Sequence, residues 1–219
     1  VGEKDSGGPR ISKFDPSFNL VLSVPLPAAQ VGSISCMISD GGALYTINDG
    51  GADNTAKLIK YDFINLVALA TAAYPAGGSG SPVRGKAVAM DVPGNFYVVV
   101  ASAAGGAPAR LLKYPSNFNA AGPGVDVEIP GLLSQQQPDL AYSGGKVLVG
   151  FADLSGTNYY VKQFDSSALN FTGVVSTVTG AADDGGQANA ALRAGPDGSV
   201  FLAGTVANNA GDYFVMKYD

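Results

Sequence analysis

A chain of 219 residues with a net charge of −5, a pI of about 4.6 and no cluster of Lys or Arg has no electrostatic footprint for nucleic acid or for an anionic membrane. Apolar residues make up 46% and charged residues 14%, enough for a real core, while no apolar run is long enough to cross a bilayer. His is absent, which removes His-based triads, His metal ligands and His-ligated haem together, and Cys36, the one cysteine, can form no intrachain disulfide.

In chain order, Val1–Arg10 reads as the loop between two strands of a repeat whose start is not in the chain. Ile11-Ser12-Lys13-Phe14-Asp15 follows as a strand. The same signature returns as Leu58-Ile59-Lys60-Tyr61-Asp62, Leu111-Leu112-Lys113-Tyr114-Pro115, Tyr160-Val161-Lys162-Gln163-Phe164-Asp165 and Val215-Met216-Lys217-Tyr218-Asp219, so the aromatics step by 47, 53, 50 and 54 residues. A glycine turn with an apolar run precedes each of the last four copies: Gly41-Gly42-Ala43-Leu44-Tyr45, Pro93-Gly94-Asn95-Phe96-Tyr97, Gly144-Gly145-Lys146-Val147-Leu148 and Asp197-Gly198-Ser199-Val200-Phe201. From Gly42, Gly94, Gly145 and Gly198 to the next aromatic is 19, 20, 19 and 20 residues. Two unrelated motifs held at one spacing four times define an internal repeat.

Each unit reads as four strands. In the second full unit these are Leu66–Thr71, Ala87–Asp91, Phe96–Ala101 and Arg110–Tyr114, with a glycine hairpin between the second and third. A polar loop joins the third and fourth strands (Asn48–Thr55, Ser102–Ala107, Asp153–Asn158, Ala207–Gly211). The last strand is bulky on both faces, as in a sheet covered on both sides. Ala-rich Gln187–Arg193 falls at the second-strand position and is assigned to strand rather than helix. The expected fold is all-β, a β-propeller of four-stranded antiparallel blades, with four full repeats plus one extra outer strand. The expected divisions are 1–15 (the end of a preceding blade), 16–62, 63–115, 116–165 and 166–219. The phase of the repeat points to a segment of a longer propeller that is poorly stable or associates on its own, a closed four-bladed ring being the alternative.

At the Asp/Gly turn, the apolar strand, the polar loop and the strand closing in Lys-aromatic-Asp, the chain resembles the bacterial SBBP and delta-60 families of β-propeller repeats, from about Ile11 to Asp219. The resemblance implies architecture and a secreted or cell-surface setting. Pro115 in place of Asp, and the slipped Lys162-Gln163-Phe164, depart from it and weaken any case for one uniform ligand per blade.

No nucleotide-binding glycine loop or serine nucleophile elbow is present, so no catalytic, cofactor-binding or metal-ligating residue is assigned and no cofactor is expected. Asp49/Asp53/Asn54 and Asp183/Asp184 are oxygen-rich loops open to a calcium reading, but they fit turn chemistry better and match no calcium-loop spacing. Asn170-Phe171-Thr172 is a glycosylation sequon. Cys36 reads as a small buried hydrophobe. Lys13, Lys60, Lys113 and Lys217 are expected to cover blade edges with their stems and to meet a neighbouring Asp, and the aromatics beside them to pack between blades. All length variation lies between each Lys-aromatic strand and the next glycine turn. These features favour a non-catalytic scaffold whose loops bind a protein or glycan at the cell surface. A self-assembling extracellular subunit, pairing with copies of itself, and a polysaccharide-degrading enzyme using carboxylates are the alternatives.

Overall fold

The computed structural model describes residues 2–5, 8–26, 32–49, 54–74, 82–103, 106–118, 122–154, 158–179, 190–206 and 212–218. The regular elements among them are β-strands, arranged in five sheets in which chain neighbours pair antiparallel. Two compact units result: residues 1–85 with 117–122, and residues 86–116 with 123–219.

The first unit holds a three-stranded sheet, β1 (Gly2–Asp5), β2 (Gly8–Phe14) and β3 (Leu20–Pro25), and a four-stranded sheet, β4 (Ile34–Ser39), β5 (Ala43–Asn48), β6 (Ala56–Asp62) and β7 (Ala68–Tyr74). Ile11, Leu26, Ile59, Tyr61 and Leu66 form its buried cluster, with Leu22, Val24, Ile34 and Leu44 packed around them. The first strand corrects the expectation that Val1–Arg10 is a loop. Asp5 faces Gly8 across a ladder, so β2 is flanked by β1 on one side and β3 on the other. On the β1 side the ladder reaches Ile11, which faces Gly2, and on the β3 side it runs along Arg10–Phe14.

The third sheet is β8 (Val83–Met90, whose first residues belong to the first unit), β9 (Phe96–Ser102), β10 (Pro108–Tyr114) and β11 (Val125–Leu133). The second unit continues with β12 (Asp139–Ser143), β13 (Lys146–Ala152), β14 (Asn158–Asp165) and β15 (Phe171–Thr179), then β16 (Ala191–Ala194), β17 (Val200–Val206) and β18 (Asp212–Tyr218). The third sheet of the chain is buried on both faces at β9. In β9, Phe96 through Ala101 are each 3% exposed or less, which requires packing above and below the sheet. Toward the fourth sheet, Tyr97, Val99 and Leu111 pack with Val147, Val149, Phe151 and Phe164. The other face of the fourth sheet meets the fifth. There Gly150 lets Leu192 and Leu202 approach to 3.4 Å from where a Cβ would stand.

Sheet boundaries are shifted by one strand from the repeat boundaries read in the sequence. The strand read as first in each unit pairs back on the last strand of the unit before: β7 on β6, β11 on β10 and β15 on β14. For β7 and β15 the cause is the short turn after the Lys-aromatic motif; β11 returns after the longer connection 115–124. Asp62 N bonds Val67 O at 2.9 Å, and Asp165 N bonds Asn170 O at 3.0 Å, closing hairpins that leave no room for a crossover. Of the stretch Gln187–Arg193, Ala191–Arg193 are strand and 187–189 lie outside the described residues.

Candidate binding surface

An antiparallel meander places its connections alternately at two ends of each sheet. At one end lie the glycine turns and the turns after the Lys-aromatic motif. At the other lie the polar loops and the long links into the next sheet.

The first end is built for rigidity. Asp15 Oδ1 accepts from Ser17 N (2.8 Å) and Asn19 N (2.9 Å), Asp62 Oδ1 accepts from Ile64 N (2.7 Å), and Asp165 accepts from Ala168 N (2.8 Å) and Asn170 N (2.7 Å). Each carboxylate ties a turn whose apex is left-handed: Phe18 (φ 61°), Leu66 (φ 56°) and Leu169 (φ 58°). These hydrogen bonds favour the charged form. Asn19 holds the Asp15 carboxyl below its ordinary value, Ile64 N–H does so for Asp62, and Ser167 above all brings Asp165 down to about 2. The Asp closing the repeat motif is thus a turn cap. The glycine turns carry a second device: Tyr45 Oη donates to Asp40 and Tyr97 Oη to Asp91, both at 2.8 Å. Burial, reinforced by Asp40, raises the Tyr45 hydroxyl to about 12, and burial with Asp91 pushes Tyr97 up as well.

Lys13 and Lys60 attract Asp62 and Asp40 by charge, and the motif lysines also make contacts that the sequence does not show. Lys13 Nζ donates to Phe63 O at 3.2 Å and sits 4.9 Å from the centre of the Phe63 ring. Lys113 Nζ donates to Ser166 O and Ser167 O at 2.7 and 3.1 Å and lies over Tyr97 at 5.9 Å; Lys60 lies over Tyr45 at 5.6 Å. Phe63 and Ser166 each directly follow the capping Asp of the next sheet, so the lysine fastens one sheet to the turn of the following one. An ammonium over an aromatic face gains a cation–π attraction that a carboxylate partner would not replace. Lys217 lies 3.6 Å from Asp197.

The fourth sheet breaks this pattern. Tyr45 faces Lys60 across the ladder and Tyr97 faces Lys113, as Phe201 faces Lys217, but Leu148 faces Gln163. A cavity of about 170 Å³ lies there, lined by Leu148, Val161, Gln163, Val200, Lys146 and Tyr218. The aromatics of the motif divide accordingly. Tyr61, Tyr114 and Phe164 are buried, whereas Tyr218 borders the cavity and is half-buried. Phe14 is 37% exposed.

The other end of the sheets carries the variable polar groups. In the first unit Asp49 accepts from Ser33 Oγ at 2.9 Å and forms an isolated bridge with Arg84, an exposed residue. In the second, Asp139 accepts from Leu192 N (2.9 Å) and from Arg193 (2.5 Å), tying β12 to β16 while the Arg193 side chain stays 71% exposed. Asn158 bonds Asp153 at 2.6 Å across a loop that also presents Leu154, 57% exposed. The Asp139–Arg193 pair carries no sequence signature, because 54 residues separate its members. Of the oxygen-rich loops, Asp49 bonds Ser33 and Asn54 O accepts from Val83 N at 2.9 Å, and Asp53, Asp183 and Asp184 lie outside the described residues. No group of three or more acidic or Cys side chains suited to a metal occurs among the described residues. Asn170 of the sequon is exposed, with its N–H bound to Asp165, and Cys36 is half-buried rather than buried.

The chain matches no described protein family and no curated protein. Solved structures resemble it in fold at low identity. A Kuenenia stuttgartiensis hydrazine synthase structure aligns at a TM-score of 0.66 and 10% identity over 96% of this chain and 57% of that one. The Dos1 propeller aligns at 0.55 and 15% over 94% and 49%. The Phanerochaete chrysosporium exo-β-1,3-galactanase aligns at 0.56 and 12% over 94% and 50%. This chain therefore spans about half the length of the structures it matches. The sheets are blades of a β-propeller-type, all-β fold.

Proposed function

We propose that the chain is a non-catalytic propeller module, extracellular or at the cell surface, that presents the polar-loop end of its blades to a protein or a glycan. One observation carries this reading. The glycine and Asp turns at one end are locked by repeated hydrogen bonds and lysine contacts, whereas the exposed Arg84 of the first unit and the exposed Leu154 of the second lie at the polar-loop end of their sheets. Rigid scaffolds with variable loops at one end are the common geometry of recognition. The absence of His throughout the sequence leaves catalysis to carboxylates, and the described carboxylates Asp15, Asp62, Asp139 and Asp165 are engaged in holding backbone N–H groups.

Arrays of purified glycans and secreted proteins, probed with the chain and with a variant carrying Gly-Ser in place of residues 154–157, test the proposal. Binding that the loop variant loses supports it. Release of reducing sugar from a polysaccharide would replace it with the enzymatic alternative.

A further inference from the structure

At the glycine-turn end of the second sheet three side chains act together: Asp40, just before the turn glycines, Tyr45, just after them, and Lys60, which faces Tyr45 across the ladder. Tyr45 Oη donates to Asp40 and Lys60 lies over the Tyr45 ring, so the chain fills the slot with its own ring, carboxylate and ammonium. The third sheet repeats the device with Asp91, Tyr97 and Lys113. The fourth sheet carries none of the three in place. At the offsets of Asp40 and Tyr45 from their glycine stand Ser143 and Leu148, and Gln163 faces Leu148. Its motif lysine has turned over. One extra residue separates Lys162 from Phe164, and successive side chains of a strand point to opposite faces. Lys162 therefore points back toward the third sheet, where it donates to Pro130 O and lies 5.4 Å from the centre of the Phe151 ring.

All three replacements border the cavity of about 170 Å³ between the fourth and fifth sheets, which belong to one unit. Buried Val161 and Val200 line its interior, and exposed Lys146 and Val175 its rim. An apolar cavity of about 150 Å³ takes one benzene ring, so this one is sized for a single ring with a substituent. The rim supplies the charge. Lys146 directly follows its turn glycine, where the other sheets carry Ala43, Asn95 and Ser199, and no carboxylate is among the described residues that line the cavity. Asp165, which faces Lys146 across the ladder, is held by the N–H groups of Ala168 and Asn170, and Asp197 by Ser199 and Lys217. Ser143 Oγ donates to Gly198 O at 2.6 Å and so helps hold the two sheets together beside the cavity. An ammonium at the mouth of an apolar, uncharged slot favours an anion.

We propose that this cavity binds a small aromatic carboxylate of the benzoate type. The ring takes the slot that Tyr45 and Tyr97 fill in their own sheets, against Leu148 and Val200, and the carboxylate accepts from the Lys146 ammonium. Of the three groups in the sibling device the fourth sheet keeps an ammonium, moved to Lys146, and lacks the ring and the carboxylate. A benzoate brings both. The site is independent of the polar-loop surface at the opposite end of the blades.

Titration of the purified chain with benzoate, and with benzyl alcohol as the neutral analogue of the same size, is followed by ligand-observed NMR and calorimetry. The expected result is saturable one-site binding of benzoate with a Kd below about 1 mM. Lys146→Met should weaken benzoate at least tenfold and leave benzyl alcohol unchanged. The Ser143→Asp/Leu148→Tyr/Gln163→Lys variant, which rebuilds the sibling device and fills the slot, should bind neither while keeping the circular dichroism of the unmodified chain. Absence of saturable benzoate binding would overturn the proposal. So would a folded slot-filling variant that binds benzoate as the unmodified chain does, or a Lys146→Met variant that treats acid and alcohol alike. Should the slot-filling variant not fold, the exposed Lys146→Met change decides, through the acid and alcohol comparison.

Discussion

Lys113 reaches out of its own sheet to donate to the backbone carbonyl of Ser166 at 2.7 Å, the same oxygen that Tyr97 Oη, its one proton shared with Asp91 at 2.8 Å, approaches at 3.1 Å. The two donors stand opposite each other across the β9–β10 ladder, so one cross-strand pair fastens the third sheet to the turn of the fourth. Lys113→Met keeps the aliphatic stem and removes the donor, and should destabilise the fold by about 1–2 kcal/mol, as for a hydrogen bond to a charged group. Tyr97→Phe should have a similar effect. Because both bonds end on one acceptor, the double variant should lose a different amount from the sum of the two, which a denaturant-based double-mutant cycle measures.

Tyr114→Ala should cost about 3–5 kcal/mol in a urea melt, the usual penalty for emptying a buried aromatic site. Phe14→Ala, at the equivalent repeat position but 37% exposed, should cost under about 1 kcal/mol. Equal losses at the two positions would contradict the burial described here.

Glycines separate in the same way. A Cβ on Gly85 would fall on Ile47 Cγ1 and 2.9 Å from Asn48 O, with backbone that cannot retreat, whereas one on Gly150 meets only side-chain atoms at 3.4 Å. Gly85→Ala should therefore lower the melting temperature clearly more than Gly150→Ala.

The turn-capping carboxylates set the acid limit. Asp15, Asp62 and Asp165 have folded pKa values below the ordinary 3.8, Asp165 at about 2, so their contribution is complete above about pH 4 and is lost as pH falls through the folded values. Thermal melts should show stability falling between about pH 4 and pH 2, with a shallower slope in Asp165→Asn. A flat profile over that range would show that the caps do not couple to folding.

The repeat was legible in the sequence because the glycine turn and the Lys-aromatic-Asp motif are both local, short and periodic. The shift of one strand in the sheets was not, since it depends on Asp62 and Asp165 closing hairpins forward rather than ending a blade. A short motif does not distinguish a capping Asp from a terminal one. The carbonyl contacts of Lys13 and Lys113 are invisible for a related reason: the acceptor is a backbone carbonyl of the neighbouring sheet, and carbonyls carry no sequence signal. Asp139 with Arg193 is legible only after strands are laid side by side.

The most direct test of the account compares the two ends of the blades on one ligand. A ligand found on the glycan or secreted-protein arrays is titrated against the unmodified chain, the 154–157 Gly-Ser variant, and Val92→Lys, a change at a turn-end residue that is 96% exposed. The account predicts that Val92→Lys binds as the unmodified chain does and that the loop variant loses at least tenfold in affinity. Equal binding by all three, loss confined to Val92→Lys, or no ligand on either array would contradict it.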